Sequence, residues 1–509
     1  MNFTPQAIPQ AIDYVRFLPE IVLSLFGLAI MLLDPVLDED SSQKILGGLA
    51  LIGTIAGLAA TLYMAQYPGL AFWNMIRVEG FSVFFHFLIL TIAAVVILTS
   101  YEYMVVQRIR GGEYYALILF GVVGMMLMSS AVELVLIFIA LEISSISTYI
   151  LAGFRLREAS SSESSIKYFL LGSFATAFFL YGVALMFGAT GSTNILVISQ
   201  ALQSRASVLA YLAVALMFVG LGFKVASAPF HVWTPDVYEG APAPIVGLMS
   251  TGPKAAVFAV LLRIIFEANA PGRFWLIWVS AALSMSIGNV SALVQNNVKR
   301  LLAYSSIAHA GYLLMAFAAS PVMGTSAAMF YTAAYAAMNV GAFAVVTHFA
   351  SYGERYVTLE DYSGLGRRSP LLAATLTVFL LSLIGIPMTG GFFAKFYVFS
   401  AALKAGLVGL TIIGVINSAV GAYYYLRIIV VMYMREPREE TPVAPVPAAL
   451  GAALAISLIA TIYLGVLPGR VLTYAQRSAD ELVQRSVAPN LTLSPTPAQA
   501  VSTPLKAWR

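Results

Sequence analysis

Apolar runs of membrane-crossing length recur along the whole chain, separated by short connections that hold most of its Arg, Lys, Gly and Pro. Fourteen such runs lie near 16–34, 45–65, 80–101, 114–130, 132–153, 166–188, 207–228, 241–268, 274–294, 300–319, 324–350, 371–402, 406–434 and 447–467. A helix rises about 1.5 Å per residue, so about 20 apolar residues cross a bilayer core. The pattern predicts an all-α polytopic membrane protein with about 14 transmembrane helices. No basic stretch precedes the first run, which is too long for a leader peptide, so none is expected. From about Ser478 the pattern stops, and Pro489, Pro495, Pro497 and Pro504 predict an extended, poorly ordered tail.

Composition agrees with this class. The chain is 60% hydrophobic and only 10% charged, with mean hydropathy +0.86, where a soluble domain carries about 25% charged residues. It has no cysteine, so disulfides, thiolate metal sites and iron–sulfur clusters held by this chain are excluded. His86, His231, His309 and His348 are scattered without metal-ligand spacing. The net charge of +4 is spread between spans and forms no patch, so no nucleic-acid partner is expected. No phosphate loop, dinucleotide fingerprint or catalytic-triad pattern occurs, and no redox chemistry is expected on this chain.

Basic residues orient the spans. Connections after odd-numbered spans carry thirteen Lys and Arg against five on the other side, tail excluded. The richer side is expected to be cytoplasmic, with both termini on the outer face. Five basic residues remain inside spans: Lys224, Lys254, Arg263, Lys395 and Arg427. Arg263 is expected to snorkel to the interface, and Arg427, among aromatics, to meet a neighbouring subunit or a lipid phosphate.

The densest conflict between apolarity and charge lies around residues 212–257. Lys224, His231 and Lys254 share that stretch with Pro229, Pro235, Pro242, Pro244 and Pro253. Proline breaks or kinks a helix, and freed backbone groups survive at membrane depth only inside protein or beside water. Lys395 repeats the theme beside Pro387, Gly390 and Gly391. An ionisable side chain beside a broken helix is a functional-site candidate. The two lysine-bearing breaks lie five spans apart, which predicts inverted repeats of spans four to eight and nine to thirteen. The expected organisation is 1–110, three N-terminal helices; 111–270 and 271–436, the two repeats; 437–477, a last helix; and 478–509, the tail.

The fifth span carries Glu133 and Glu142, about 13 Å apart along a helix. Glu133 falls at the outer end, where a carboxylate caps a helix N-terminus. Glu142 falls near mid-membrane and needs a cation or a proton; Lys224 is the expected cation. A static ion pair between the two helices is the plainer alternative. Burial favours a neutral lysine and a nearby carboxylate favours a charged one, so a small movement of Glu142 relative to Lys224 would load or release a proton. Lys254, His231, His309 and Lys395 are expected further stations.

Three segments carry a resemblance: GLGFKVASAPFHVWTPDVYEGAPAP (220–244), NNVKRLLAYSSIAHAGYLL (296–314) and SLIGIPMTGGFFAKFYV (382–398). Together they resemble subunit N of bacterial NADH:quinone oxidoreductase, respiratory complex I. This is one of the antiporter-like membrane subunits, which also resemble the large subunits of multi-subunit cation/proton antiporters. The resemblance implies that Glu142 is the family's mid-membrane glutamate and Lys224 its broken-helix lysine. Lys254 and Lys395 then match the lysines of the eighth and twelfth spans, with His231 and His309 between them. It implies that Lys299 and Arg300 are interfacial and structural, with Glu163 and Lys167 a pair at the start of the sixth span.

It further implies a proton-translocating subunit of an inner-membrane translocase in the respiratory chain, driven by quinone reduction elsewhere. Other membrane and peripheral subunits, including neighbouring antiporter-like subunits, would be its partners alongside the bilayer. NADH, FMN, iron–sulfur clusters and quinone would be bound by those other subunits, with no cofactor here. A cation/proton antiporter without redox coupling and a structural membrane spacer are the alternatives.

Overall fold

The computed structural model describes residues 9–37, 39–109, 111–204, 207–268, 270–351, 353–437 and 445–487. Its helices run in chain order. The first half holds α1 (Ala11–Arg16), α2 (Leu18–Leu33), α3 (Glu39–Met64), α4 (Gly80–Val106), α5 (Glu113–Ser130), α6 (Leu134–Ala152), α7 (Ala159–Thr190), α8 (Ile195–Ser204), α9 (Val208–Lys224), α10 (Thr234–Gly240) and α11 (Ala243–Leu262). The second holds α12 (Arg273–Leu293), α13 (Val298–Phe317), α14 (Pro321–Ala350), α15 (Leu365–Arg368), α16 (Pro370–Ile384), α17 (Gly390–Lys404), α18 (Val408–Met434), α19 (Ala448–Val466) and α20 (Pro468–Val487). A short antiparallel hairpin of β1 (Gly69–Ala71) and β2 (Ile76–Val78) is the one sheet among the described residues.

Each of the fourteen apolar runs holds a helix, and eleven helices among the described residues are individually long and apolar enough to cross a membrane. The enclosed centre is built by α11, which lies wholly inside the protein from Ala243 to Glu267, and by α14, which packs against it. Helices α2, α7 and α18 present much of their apolar surface outward, as the lipid-facing periphery of a bundle does. Pro242 and Pro244 lie at the entry to α11, where a missing N–H costs nothing, and Pro253 is carried inside a continuous helix. The expected interruption of the eighth span is therefore an entry turn, followed by a π turn over Arg263–Glu267 at the far end.

Two expectations are corrected. The chain from Ser478 is helical as far as Val487, because α20 is amphipathic and buries Ala475, Ala479 and Leu482 against α14 and α4. Tyr474 stacks on Phe84 and donates to the Gly80 carbonyl at 3.1 Å, which fixes that helix to the start of α4. Residues 488–509, with the four tail prolines, lie outside the described part. Arg263 does not snorkel. It is fully buried and pairs with Glu79 (2.8 Å) and Glu267 (3.2 Å), while Arg77 from β2 contacts the same two carboxylates. A guanidinium stays charged at any pH of interest, so its cheapest depth is wherever carboxylates can surround it.

Arg427, partly buried, has bonding partners within the chain. It donates to the carbonyls of Leu293 (3.4 Å) and Gln295 (3.2 Å) and to Asn296 Oδ1 (2.8 Å), closing the C-terminal end of α12.

Candidate functional site

Lys224 is the last residue of α9, where the chain leaves the helix for a nine-residue break before α10. The break is a built structure. Trp233 Nε1 donates to the Phe223 carbonyl at 2.9 Å, and Ser227 closes on the Gly222 carbonyl. From α12, Ser284 Oγ accepts from Ala228 N and Ser280 donates to the Ala228 carbonyl, both at 2.7 Å. These contacts supply the partners that a broken helix at membrane depth must find.

The Lys224 ammonium, 5% exposed, donates to Tyr149 Oη at 3.0 Å and lies over the rings of Tyr149 and Tyr168. Tyr168 is in turn stacked on Trp233 at 4.4 Å, so the break and the cage share one aromatic wall. Glu142 sits on α6 two turns before Tyr149, within coulombic range of Lys224. No Glu142–Lys224 ion pair forms within 4.0 Å. Tyr149 holds the ammonium instead, and Glu142 Oε1 is enclosed without a hydrogen-bond partner. Glu133 accepts from Leu136 N at 2.7 Å as the N-cap of α6, which is its expected place.

Lys254, 2% exposed on the enclosed α11, bonds the hydroxyl and carbonyl of Ser306 on α13. It shares a cavity of ≈ 10 Å3 with His309, Tyr331 and Tyr335, about the room one water needs. His309 is buried between two tyrosines, with Nδ1 2.7 Å from Tyr331 Oη and Nε2 3.3 Å from Tyr425 Oη. Tyr425 continues to Ser305. Further on, α16 ends at Ile384 and α17 begins at Gly390. Lys395 Nζ reaches back over that break to the carbonyls of Leu383 (3.0 Å) and Ile384 (2.7 Å) and to Ser418 Oγ (2.9 Å). Its ammonium lies 5.1 Å from the Tyr312 ring, which is edge-on to His309.

The structure thus gathers Lys254, His309 and Lys395 along one run of hydroxyls and rings, and holds Glu142 and Lys224 as a separate group beside Tyr149 and Tyr168. His231 lies half-buried in the break, with Nδ1 enclosed and unbonded, and is not among the hydrogen-bond partners of the three lysines. Tyr238 fills the space beyond Trp233, fully buried. Sequence reasoning missed Tyr149, Tyr168, Tyr331 and Tyr425, because a tyrosine in an apolar helix carries no signal of what its hydroxyl meets.

Residues 131–421 match the family described as NADH:quinone oxidoreductase/Mrp antiporter, transmembrane. The chain is 69% identical over 487 residues to NADH-quinone oxidoreductase subunit N 2 of Koribacter versatilis, covering 94% of this chain and 99% of that one. It belongs to the subunit N family of NADH-quinone oxidoreductase. Among solved structures, this chain resembles a chain of respiratory complex I from Thermus thermophilus with bound aureothin, at 39% identity and TM-score 0.76, covering 89% of this chain and 98% of that one. A chain of the Mrp complex from Dietzia shares the fold at 21% identity and TM-score 0.80, over 93% and 99% of the two chains.

Around α10 and the start of α13 the chain carries two further charge clusters. Lys167 bridges Glu163 (2.6 Å) and Asp236 (2.9 Å), and Arg300 bridges Asp236 (2.7 Å) and Glu239 (2.9 Å). Asp236, on the short α10, is pushed up by partial burial, but Lys167 and Arg300 outweigh this and hold its carboxyl below the usual range. Lys299 is buried within the protein. It donates to the Ala241 carbonyl (2.7 Å) and pairs with Glu354 (2.8 Å), which also accepts from Tyr103 Oη and Ala243 N.

Proposed function

We propose that this chain translocates protons within the membrane arm of complex I, through a path of Glu142, Lys224, Lys254, His309 and Lys395, with His231 at the broken helix. The observation that carries this reading is the bonding of the three lysines. Each is buried, and each bonds only neutral acceptors: Tyr149, Ser306, or Ser418 with two carbonyls. A lysine so placed can exist with or without its proton, whereas one locked to a carboxylate is held charged. Hydroxyls and the His309 imidazole between them both donate and accept, as a relay requires.

In this reading a proton enters from the cytoplasmic half at Lys224, with Glu142 setting how tightly it is held. It passes Lys254 and the His309–tyrosine cluster and leaves towards the outer face at Lys395. The two lysine-bearing breaks belong to inverted repeats, the chain lies in the bacterial inner membrane with both termini outside, and other complex I subunits bind the redox cofactors and quinone. The test is proton pumping by reconstituted complex carrying Glu142→Gln, with NADH oxidation followed in the same vesicles and assembly checked on a native gel. Joint loss of pumping and turnover in an intact complex is expected. Normal pumping and turnover would reduce Glu142 and Lys224 to a structural pair.

A further inference from the structure

The N-terminal helices contain a buried acid–base pair that the lysine line does not use. Glu20, in the first turn of α2, is 1% exposed, and His86, in the second turn of α4, is also 1% exposed. Their facing atoms, Glu20 Oε1 and His86 Nε2, are 3.5 Å apart. His86 Nε2 is also 2.9 Å from Ser130 Oγ and 3.1 Å from the Met126 carbonyl, both at the end of α5. Glu20 Oε2 and His86 Nδ1 are enclosed and unbonded.

The wiring around Nε2 limits what this group can be. The Met126 carbonyl only accepts, and Ser130 Oγ already donates to it at 2.9 Å. Nε2 therefore serves as the donor to the carbonyl, the hydroxyl and the carboxylate that surround it. Nδ1 and Oε2 are then left as two bare acceptor positions with one exchangeable proton to fill them. No lysine or arginine among the described residues lies within 4.0 Å of Glu20, so no fixed cation satisfies the carboxylate. A buried carboxylate without a cation holds a proton or shares one.

Among the described residues, the charged and titratable groups on the surrounding elements form no ion pair or hydrogen bond with Glu20 or His86. At the end of α11, Arg263 and Glu267 are locked in the cluster with Arg77 and Glu79. Elsewhere, α3 carries the exposed Tyr63, bonded to Tyr67, and α20 brings Glu481 near Gly80. Tyr114 and Tyr115 lie at the opposite end of α5, and α19 has only Tyr463. The two clusters meet through consecutive residues: Arg263 donates twice to the Ser129 carbonyl (3.2 and 3.0 Å), and Ser130 contacts His86.

We propose that Glu20, His86 and Ser130 form a second proton-binding site, separate from the lysine line, which holds one exchangeable proton between carboxylate and imidazole near the outer end of the N-terminal helices. The ligand is the proton itself. The site owes nothing to the broken helices, so it stands or falls apart from the relay assigned to Lys224, Lys254 and Lys395.

Infrared difference spectroscopy of the intact reconstituted complex, titrated from about pH 5 to about pH 9 in H2O and D2O, tests the proposal. The expected result is a protonated-carboxyl band that disappears in Glu20→Gln and persists in Glu142→Gln. In Ser130→Ala, which keeps both titrating groups, its midpoint should move by about one pH unit, the scale of one hydrogen bond to a charged group. If Glu20→Gln does not assemble, His86→Gln and Ser130→Ala carry the test, with loss of the shared-proton midpoint expected in the first and the shift in the second. A carboxyl spectrum that is the same in wild type and in every assembled variant of the three residues overturns the proposal.

Discussion

Replacing Gly172 by alanine perturbs Lys224 without replacing a titratable group. Gly172 lies on α7 directly over the Tyr149 hydroxyl, and a Cβ there would fall 2.0 Å from Oη and 2.7 Å from Cζ. Ordinary contact begins at 3.4 Å, so the hydroxyl must retreat by 3.4 − 2.0 = 1.4 Å or the helix must move by as much. Tyr149 has little room, since its ring is edge-on to Tyr168 at 4.6 Å and to Phe169 at 5.9 Å. The 3.0 Å bond to Lys224 Nζ is the contact that gives way. A hydrogen bond to a charged group is worth about 1.5–3 kcal/mol; because Lys224 keeps its place over the Tyr168 ring, the lower figure applies. At about 1.4 kcal/mol per factor of ten, coupled turnover and pumping should fall together by about tenfold. The assay is NADH oxidation and vesicle acidification on complex whose assembly is verified by native gel, with Tyr149→Phe alongside. That second variant removes the same bond without crowding and should reproduce most of the loss. Wild-type rates from an assembled Gly172→Ala complex would refute the placement of Tyr149 as the group that positions Lys224.

Two further outcomes follow from the charge clusters. Arg263→Leu leaves Glu79 and Glu267 with Arg77 as their only guanidinium; uncovering a buried charge in this way costs about 3–5 kcal/mol, so thermal unfolding of the complex should begin at lower temperature or its assembly should fail, and an unchanged melting curve would contradict the cluster. Asp236, held below the usual carboxylate range by Lys167 and Arg300, contributes stability above its unfolded value near 4 and loses it as the pH falls through the lowered one. Its side chain is 37% exposed, so screening limits that contribution to about 0.5 kcal/mol; Asp236→Asn should melt slightly earlier than wild type at pH 7, with the two curves converging on acidification to about pH 3.

The spans and both helix breaks were legible because hydropathy and proline act locally: Pro229 and Pro387 stop a helix wherever the surrounding chain goes. Partners were not legible, because they come from other helices. Glu20 reads as an ordinary first-turn carboxylate and His86 as an isolated core histidine, and only the packing of α2, α4 and α5 brings them 3.5 Å apart. The amphipathic spacing of Val471, Leu472, Ala475, Ala479 and Leu482 was present in the sequence, but the prolines downstream of it drew the expectation towards an extended tail.

A basic residue inside an apolar span has two physical resolutions, and lysine and arginine divide between them. Arginine cannot shed its proton, so at depth it must be matched by fixed negative charge; Glu267, four residues on from Arg263, already stood on the same face as a candidate partner. Lysine can shed its proton, so it can be left among hydroxyls and carbonyls, where Lys224, Lys254 and Lys395 are found. Lys299 takes the other course and pairs with Glu354, so the rule does not run backwards from residue type to role. What distinguishes a titrating lysine is the absence of a carboxylate within bonding reach, and that is a property of the packed bundle.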